Sequence, residues 1–233
     1  MQVSQLWRYP VKSMVGGRVD SIVLDELGVV GDRTWAVRDL ERGGIRGAKK
    51  IGSVMRLAAR DVDVGEVEIT LPVGSSVRTT DEDVDERVSA ALDHRVRLEA
   101  LRPADDLEHY RRGAPDSDDV VAELRGIFGR EDDEPFPDFS VFPPIIAEYE
   151  SPPGTYYDVF PLMVMSEAAL AALGAALPDS NVDIRRSARR SWSTPVTTAP
   201  ALRPRATPSS TGSANGRRLA PSRSSSVRRA RGA

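Results

Sequence analysis

Short runs of alternating apolar and polar residues, each stopped by glycine, proline or aspartate, fill the first hundred positions of the chain. Runs of this kind predict half-buried strands, here over Gln2–Tyr9, Arg18–Asp25, Thr34–Asp39, Leu57–Val62, Glu66–Leu71 and Arg95–Leu101. Gly16-Gly17, Gly28 to Gly31, Gly43-Gly44 and Pro72 to Ser75 supply the tight-turn geometry between them. The alternation is cleanest after Gly65, where Val67, Ile69 and Leu71 are interleaved with Glu66, Glu68 and Thr70. Strands this short and closely spaced favour a small barrel or compact sheet over a βαβ array.

Two helices stand out by a different period. Val84, Val88 and Leu92 recur at spacing four within Asp83–Leu92, one apolar stripe. In Ser166–Leu177, Ser166 is placed to cap the free N–H groups and Glu167 to face the positive end of the helix dipole. Leu170, Leu173 and Leu177 share one face there, and Pro178-Asp179-Ser180 ends the helix. Residues 103–140 are charged and proline-rich, which predicts a mobile connection holding a short helix over Val120–Phe128.

Composition divides this picture sharply. Residues 1–186 contain 22 Lys+Arg against 35 Asp+Glu, a net charge of −13, whereas residues 187–233 contain 10 Arg and no acid. Of those last 47 residues, 41 are Ser, Arg, Ala, Pro, Thr or Gly, leaving too few large apolar groups to offset the entropy of ordering. A disordered basic tail is predicted for 187–233. The chain has no cysteine, so it offers neither disulfides nor thiolate ligands. No signal-peptide core or apolar run long enough to span a bilayer is present, and the default expectation is a cytoplasmic protein without a membrane partner.

The candidate chemistry is cationic. Pro10-Val11-Lys12-Ser13 closes the first strand, where a localised charge, a hydroxyl and a free N–H are offered to an anion. A solvated lysine in an ordinary turn accounts for the same residues. In Gly31-Asp32-Arg33-Thr34-Trp35, the Arg33 fork suits a phosphate or carboxylate. The alternative is an Asp32–Arg33 surface pair with Trp35 in the core. Gly43-Gly44-Ile45-Arg46-Gly47-Ala48-Lys49-Lys50 is not a P-loop, because Ala48 and Lys50 stand where Gly and Ser or Thr are required. It reads as a basic hairpin turn able to help hold an anion. His94 and His109 lack partners at metal-ligand spacing, so no metal residues are assigned, and no catalytic residue is identified. The run Glu131 to Glu134 reads as solvated loop.

Taken together, Leu6-Trp7-Arg8-Tyr9-Pro10-Val11-Lys12-Ser13-Met14 and Gly28-Val29-Val30-Gly31-Asp32-Arg33-Thr34-Trp35-Ala36-Val37 resemble the N-terminal β-barrel module of MOSC-domain proteins, a family that includes the amidoxime-reducing component and bacterial relatives. Tyr157 to Leu170 and Asp179 to Arg186 resemble the start of the MOSC domain proper. The resemblance implies a molybdenum cofactor, a phosphate-bearing molybdopterin, with Lys12 and Ser13 contacting the anionic cofactor and Arg33 pairing with its phosphate. It also implies reduction of N-hydroxylated small molecules or sulfur transfer, an electron-donor protein as partner and, at family level, pyridoxal phosphate binding.

The resemblance stops near Arg186. The family continues there with a strand of Phe-Arg-Pro-Asn type and later supplies a cysteine to molybdenum, whereas this chain continues Ser187-Ala188-Arg189-Arg190. Loss of resemblance, loss of acids and the Arg/Ser excess coincide, which suggests a coding-frame shift and impaired activity. The expected fold class is mainly β with α+β elements. It comprises a β-barrel-like module over 1–102, a charged connection over 103–150, an incomplete MOSC domain over 151–186 and the tail. Two rivals remain beside the oxidoreductase: a non-enzymatic cofactor- or anion-binding module, and nucleic-acid binding through the tail, the weaker of the two because Trp192 is its lone ring.

Overall fold

The computed structural model describes residues 2–187 and the backbone of Ser191–Ser193. All lie in one compact unit. Among the described residues the strands are β1 (Val3–Arg8), β2 (Gly17–Val19), β3 (Leu24–Asp25), β4 (Gly28–Val29), β5 (Trp35–Asp39), β6 (Ile45–Arg46), β7 (Ala58–Asp63), β8 (Glu66–Thr70), β9 (Ser76–Arg78), β10 (Val96–Ala100), β11 (Val164–Ser166) and β12 (Ser191–Ser193). The helices are α1 (Val84–Leu92), α2 (Leu107–Tyr110), α3 (Val120–Phe128), α4 (Ile145–Glu148) and α5 (Glu167–Ala176), with short 3-10 turns between them. The fold is mainly β with added helices, as the run lengths predict.

Four small sheets, ordered β11-β12-β1-β2, β10-β5-β6, β3-β4 and β7-β8-β9, share the work. The chain just after β1 stitches two of them together. Val11 bridges to Trp35 and Val15 to Ala58, both in parallel sense. Around this seam Val11, Met14, Val37, Val54, Leu57, Ile69 and Val77 are buried at 1% exposure or less. Helix α1 closes one end of that core with Val88 and Leu92. Its C-cap, Asp93, takes the left-handed conformation that a helix stop often uses. The hairpin β7–β8 turns at Gly65, whose φ of 75° suits glycine.

The expected strand over Arg18–Asp25 is two strands, because its halves find different partners. β2 pairs with β1, and β3 pairs with β4. Between them Asp20 to Val23 lie outside any ladder. The start of the connection predicted to be mobile over 103–140 is packed against the barrel and the segment that follows the connection. Tyr110, Tyr149 and Tyr156 form a second core with Ala36 and Ile45, and Arg111 bridges to Tyr149. Within the connection, α3 occupies the predicted residues, with Asp119 capping Val121 and Ala122 N–H groups.

Beyond it, α5 begins as predicted, with the Ser166 Oγ accepting from Ala169 N at 3.1 Å. Its leucine face is only partly used. Leu170 packs with Met165 and Ile184 against Trp7 and Tyr9 of the first strand region, whereas Leu173 and Leu177 are each 45% exposed. The tail expected over 187–233 falls outside the described residues except for Ser187 and β12. β12 pairs antiparallel with β1 and parallel with β11. No helix among the described residues is long and apolar enough to cross a membrane.

Candidate functional site

The seam after β1 also carries the cationic residues. Lys12 N donates to Trp35 O at 2.8 Å and Trp35 N to Pro10 O at 3.1 Å, which fixes the backbone of Lys12 against β5. Its neighbours Val11 and Met14 enter the core, so the lysine stem is buried with them, 3% exposed. A buried ammonium is costly unless its hydrogens are taken up. Here Lys12 Nζ donates to Asp158 Oδ1 at 2.7 Å, to Tyr156 O at 2.9 Å and to Ser151 Oγ at 3.5 Å. The partners come from residues 151–158, at the far end of the connection.

Asp158 serves two cations. Its other oxygen lies 3.1 Å from Lys49 Nζ. The Lys12 ammonium, with Lys49 adding to it and burial opposing, holds the Asp158 carboxyl well below the usual carboxylate range. The lysine and its carboxylate differ in setting. The Lys12 side chain is 4% exposed and that of Asp158 57%.

Ser13 and Arg33 are held in an uncommon backbone state. Among the described residues, Ser13 (φ 65°), Arg33 (φ 49°) and the helix cap Asp93 are the non-glycine residues with positive φ. Such conformations persist where surrounding contacts impose them. Ser13 Oγ accepts from Ala48 N at 3.0 Å. A Cβ on the neighbouring Gly47 would come within 2.8 Å of that hydroxyl and 3.3 Å of Lys12 Cε, so this close approach needs glycine. Arg33 N donates to Tyr9 O at 2.7 Å, and Asp32 Oδ1 accepts from Tyr9 N at 2.8 Å. The Arg33 guanidinium lies 3.2 Å from Asp32 Oδ2 and over the Tyr157 ring, 5.6 Å from its centroid.

Both readings of the Asp32–Arg33 step therefore have a place. The pair exists, although Asp32 is buried, and Trp35 packs against the main core. Arg33 also lines a cleft of 280 Å³ together with Lys12, Ser13 and Asp158. The opposite wall is apolar, built from Phe142, Val159, Phe160, Leu162 and Met163. A smaller cleft of 190 Å³ shares Lys12, Ser13 and Asp158, and adds Gly47, Ala48, Lys49 and Arg185. The basic turn at 43–50 is thus split. Lys49 faces the site, and Lys50 turns away to Asp116 at 2.7 Å and to Glu123.

The two histidines sit elsewhere. His94 Nε2 lies 3.1 Å from Asp39. His109 is buried beneath the barrel rim. Its Nδ1 is 3.1 Å from Glu99 Oε2, and its Nε2 is 2.6 Å from Tyr156 Oη, which donates to Ala100 O at 2.9 Å. Burial, and then the Arg38 charge, push His109 below its ordinary value, while burial pushes the Tyr156 phenol upward. Among the described residues no three His, Asp or Glu side chains are grouped to hold a metal ion.

Asp158 is the site residue that local sequence patterns did not single out, whereas Lys49 belongs to the basic turn that they did. Asp158 lies 146 positions from its lysine, and only the packing of Tyr156 and Tyr157 brings it there.

The turn after β1 and the turn before β5 bring Lys12, Ser13 and Arg33 to one cleft of a module built from short strands, the class of small β-barrel modules. Residues 1–112 match the MOSC N-terminal beta barrel domain, which identifies this part of the chain as that module. The match extends past Tyr110, ten residues beyond the expected boundary at 102. No curated protein matches the chain.

The residues present suit one end of a phosphate-bearing cofactor. Lys12, Ser13 and Arg33 supply point charge, hydroxyl and planar fork, and Gly47 lets the basic turn approach Ser13 and Lys12 closely. For a metal end the chain has no cysteine to offer.

Proposed function

We propose that the cleft receives the phosphate end of a molybdopterin-type cofactor, and that this chain is a cofactor-binding MOSC protein derived from an oxidoreductase of N-hydroxylated or related small molecules. The observation that carries the reading is convergence. Lys12, Ser13 and Arg33, two of them in left-handed backbone, line one cleft whose other wall is apolar. A flat ring system carrying a phosphate matches that division: charge-assisted hydrogen bonds hold the anion, and the aromatic and aliphatic wall excludes water from the ring.

Within this reading each residue has a defined task. Lys12 supplies a fixed charge whose stem cannot swing away, because Val11 and Met14 anchor the segment in the core. Arg33, held over Tyr157 and against Asp32, brings a planar fork of donors to the cleft. Ser13 and the surrounding turn add short-range hydrogen bonding. When bound, a molybdenum cofactor supplies two-electron chemistry; an electron-donor protein and a small substrate would be its partners. The lack of cysteine favours a second reading of the same site, cofactor binding without turnover.

Purification from cells that make molybdopterin, followed by denaturation, oxidation and pterin fluorescence, tests this. Near-stoichiometric phosphorylated pterin is expected, and its loss in Arg33→Ala. A protein that carries no pterin and has no affinity for phosphate overturns the proposal. Pterin present without reduction of an N-hydroxylated substrate selects the non-enzymatic reading.

A further inference from the structure

The geometry points to Asp158 as an internal competitor that sets the specificity of the cleft: we propose that its carboxylate stands in for the ligand anion, so that the site rejects monoanions and admits phosphate-type dianions. This rests on the cationic-cleft reading above and adds to it a residue and a rule of selection.

The argument begins with the Lys12 ammonium, which has three hydrogens. Tyr156 O and Ser151 Oγ, at 2.9 and 3.5 Å, accept from it on the buried side. Asp158 Oδ1, at 2.7 Å, takes the remaining donor, which would otherwise point into the cleft. The same carboxylate reaches Lys49 at 3.1 Å. One acidic side chain thus spans the two cations that an incoming anion would use.

The carboxylate is also the mobile partner of the pair. Lys12 is locked in the core at 4% side-chain exposure, but Asp158 is 57% exposed. It lies in a stretch between Thr155 and β11 that forms no ladder. Displacing it strands no buried charge on the acid side, since Asp158 passes to water. Lys12 keeps two protein acceptors and gains the ligand as its third.

Selectivity follows from tethering. An acetate or other monocarboxylate offers the lysines nothing that Asp158 does not, and it competes against a group held beside them at high effective concentration. A phosphate monoester carries nearly two charges and three acceptor oxygens. It can engage Lys12, Lys49 and the Ser13 hydroxyl together in the smaller cleft, or Lys12, Ser13 and Arg33 in the larger one. The binding-competent state is the one with Asp158 withdrawn, so the observed affinity is reduced by the fraction of time it is engaged.

The test is calorimetric titration of the full chain with inorganic phosphate and with acetate. Wild type is expected to bind phosphate and not acetate. Asp158→Asn keeps a hydrogen-bond acceptor without the charge, and should tighten phosphate by about tenfold, the scale of a mostly engaged competitor. It should also allow acetate to compete. Asp158→Ala leaves Lys12 uncompensated, so its melting temperature should rise on adding either anion, a readout that stands even if the variant folds poorly without them. If wild type binds phosphate and Asp158→Asn leaves that affinity and the acetate rejection unchanged, the competitor role is overturned while the cationic-cleft reading survives. If neither protein binds phosphate, both fall.

Discussion

Nε2 of His109 and the hydroxyl of Tyr156 meet at 2.6 Å across 47 positions of sequence, and this contact fastens the segment after the connection to the barrel module that reaches residue 112. Tyr156 Oη also donates to Ala100 O at the end of β10. Its ring packs with Tyr110, Tyr149, Ala36 and Ile45. Tyr156→Phe removes the hydroxyl from a buried polar cluster and leaves His109 without that partner. The expected cost is about 1–2 kcal/mol, read by chemical denaturation. Since residue 156 also delivers the carbonyl that accepts from Lys12, phosphate affinity should fall in the same variant.

Acid should weaken the fold in two stages. His109 titrates below its ordinary value of 6.5 in the folded state, through burial and then the Arg38 charge. The unfolded chain therefore takes up its proton first, and stability present above pH 6.5 is lost as pH falls. Glu99 is also depressed: burial raises it, but hydrogen bonds from Arg38 and Arg97 outweigh that. Its contribution is complete above its unfolded value of 4.5 and is lost below it. Thermal melts from pH 8 to 4 should be level at first, decline below 6.5 and steepen below 4.5. In His109→Gln the first decline should disappear and the second remain.

Removing either member of the Lys12–Asp158 pair should not cost the same. In Lys12→Met a buried charge becomes a buried apolar chain, while Asp158 stays hydrated and near Lys49. Tyr156 O and Ser151 Oγ lose a donor while the cost of burying the ammonium is relieved, and the expected net cost is about 1 kcal/mol. Asp158→Ala leaves the buried ammonium short of a partner and should cost about 1–3 kcal/mol. Parallel urea unfolding of the two variants, with phosphate binding lost only in Lys12→Met, checks the asymmetry.

Gly47→Ala should damage the site more than the fold. Its new methyl would press on Ser13 Oγ and Lys12 Cε. The turn can shift at a cost of about 1 kcal/mol, but the Ser13–Ala48 hydrogen bond is then misaligned. Weaker phosphate binding with a small loss of melting temperature is expected from titration and calorimetry of the same sample.

The composition break at Arg186 makes a prediction that needs no protein. If the frame shifts there, the coding sequence beyond that codon, read in one of the other two frames, resumes a Phe-Arg-Pro-Asn-like strand and later encodes a cysteine. Neither frame doing so would remove the idea.

Sequence patterns carried most of the barrel and half of the site. The β7–β8 hairpin was readable because Val67 and Ile69 alternate with Glu66 and Glu68 after Gly65. Helix α1 was readable because Val88 and Leu92 repeat at helical spacing. β6 and β9 were not, since two or three residues hold no period, and their pairing is set by neighbours. In the same way Lys12, Ser13 and Arg33 drew notice as local motifs, whereas Asp158 and His109 acquire meaning only through partners far away in the chain. Burial of α5 was not readable either. Its leucine stripe predicts a covered face, yet Leu173 and Leu177 meet solvent among the described residues.

β12 has a consequence for the order in which the molecule can be assembled. It lies between β11 and β1, so a strand late in the sequence occupies an interior place in a sheet that the first strand helps to build. On a ribosome, β1 emerges early and must wait, one edge unpaired, until position 193 has left the exit tunnel. Through that interval β1 and β11 both offer bare N–H and C=O rows to any passing strand. Successful production therefore depends on how quickly the last rung arrives, and slowed elongation between codons 166 and 193 should divert nascent chains to aggregates without altering the finished fold.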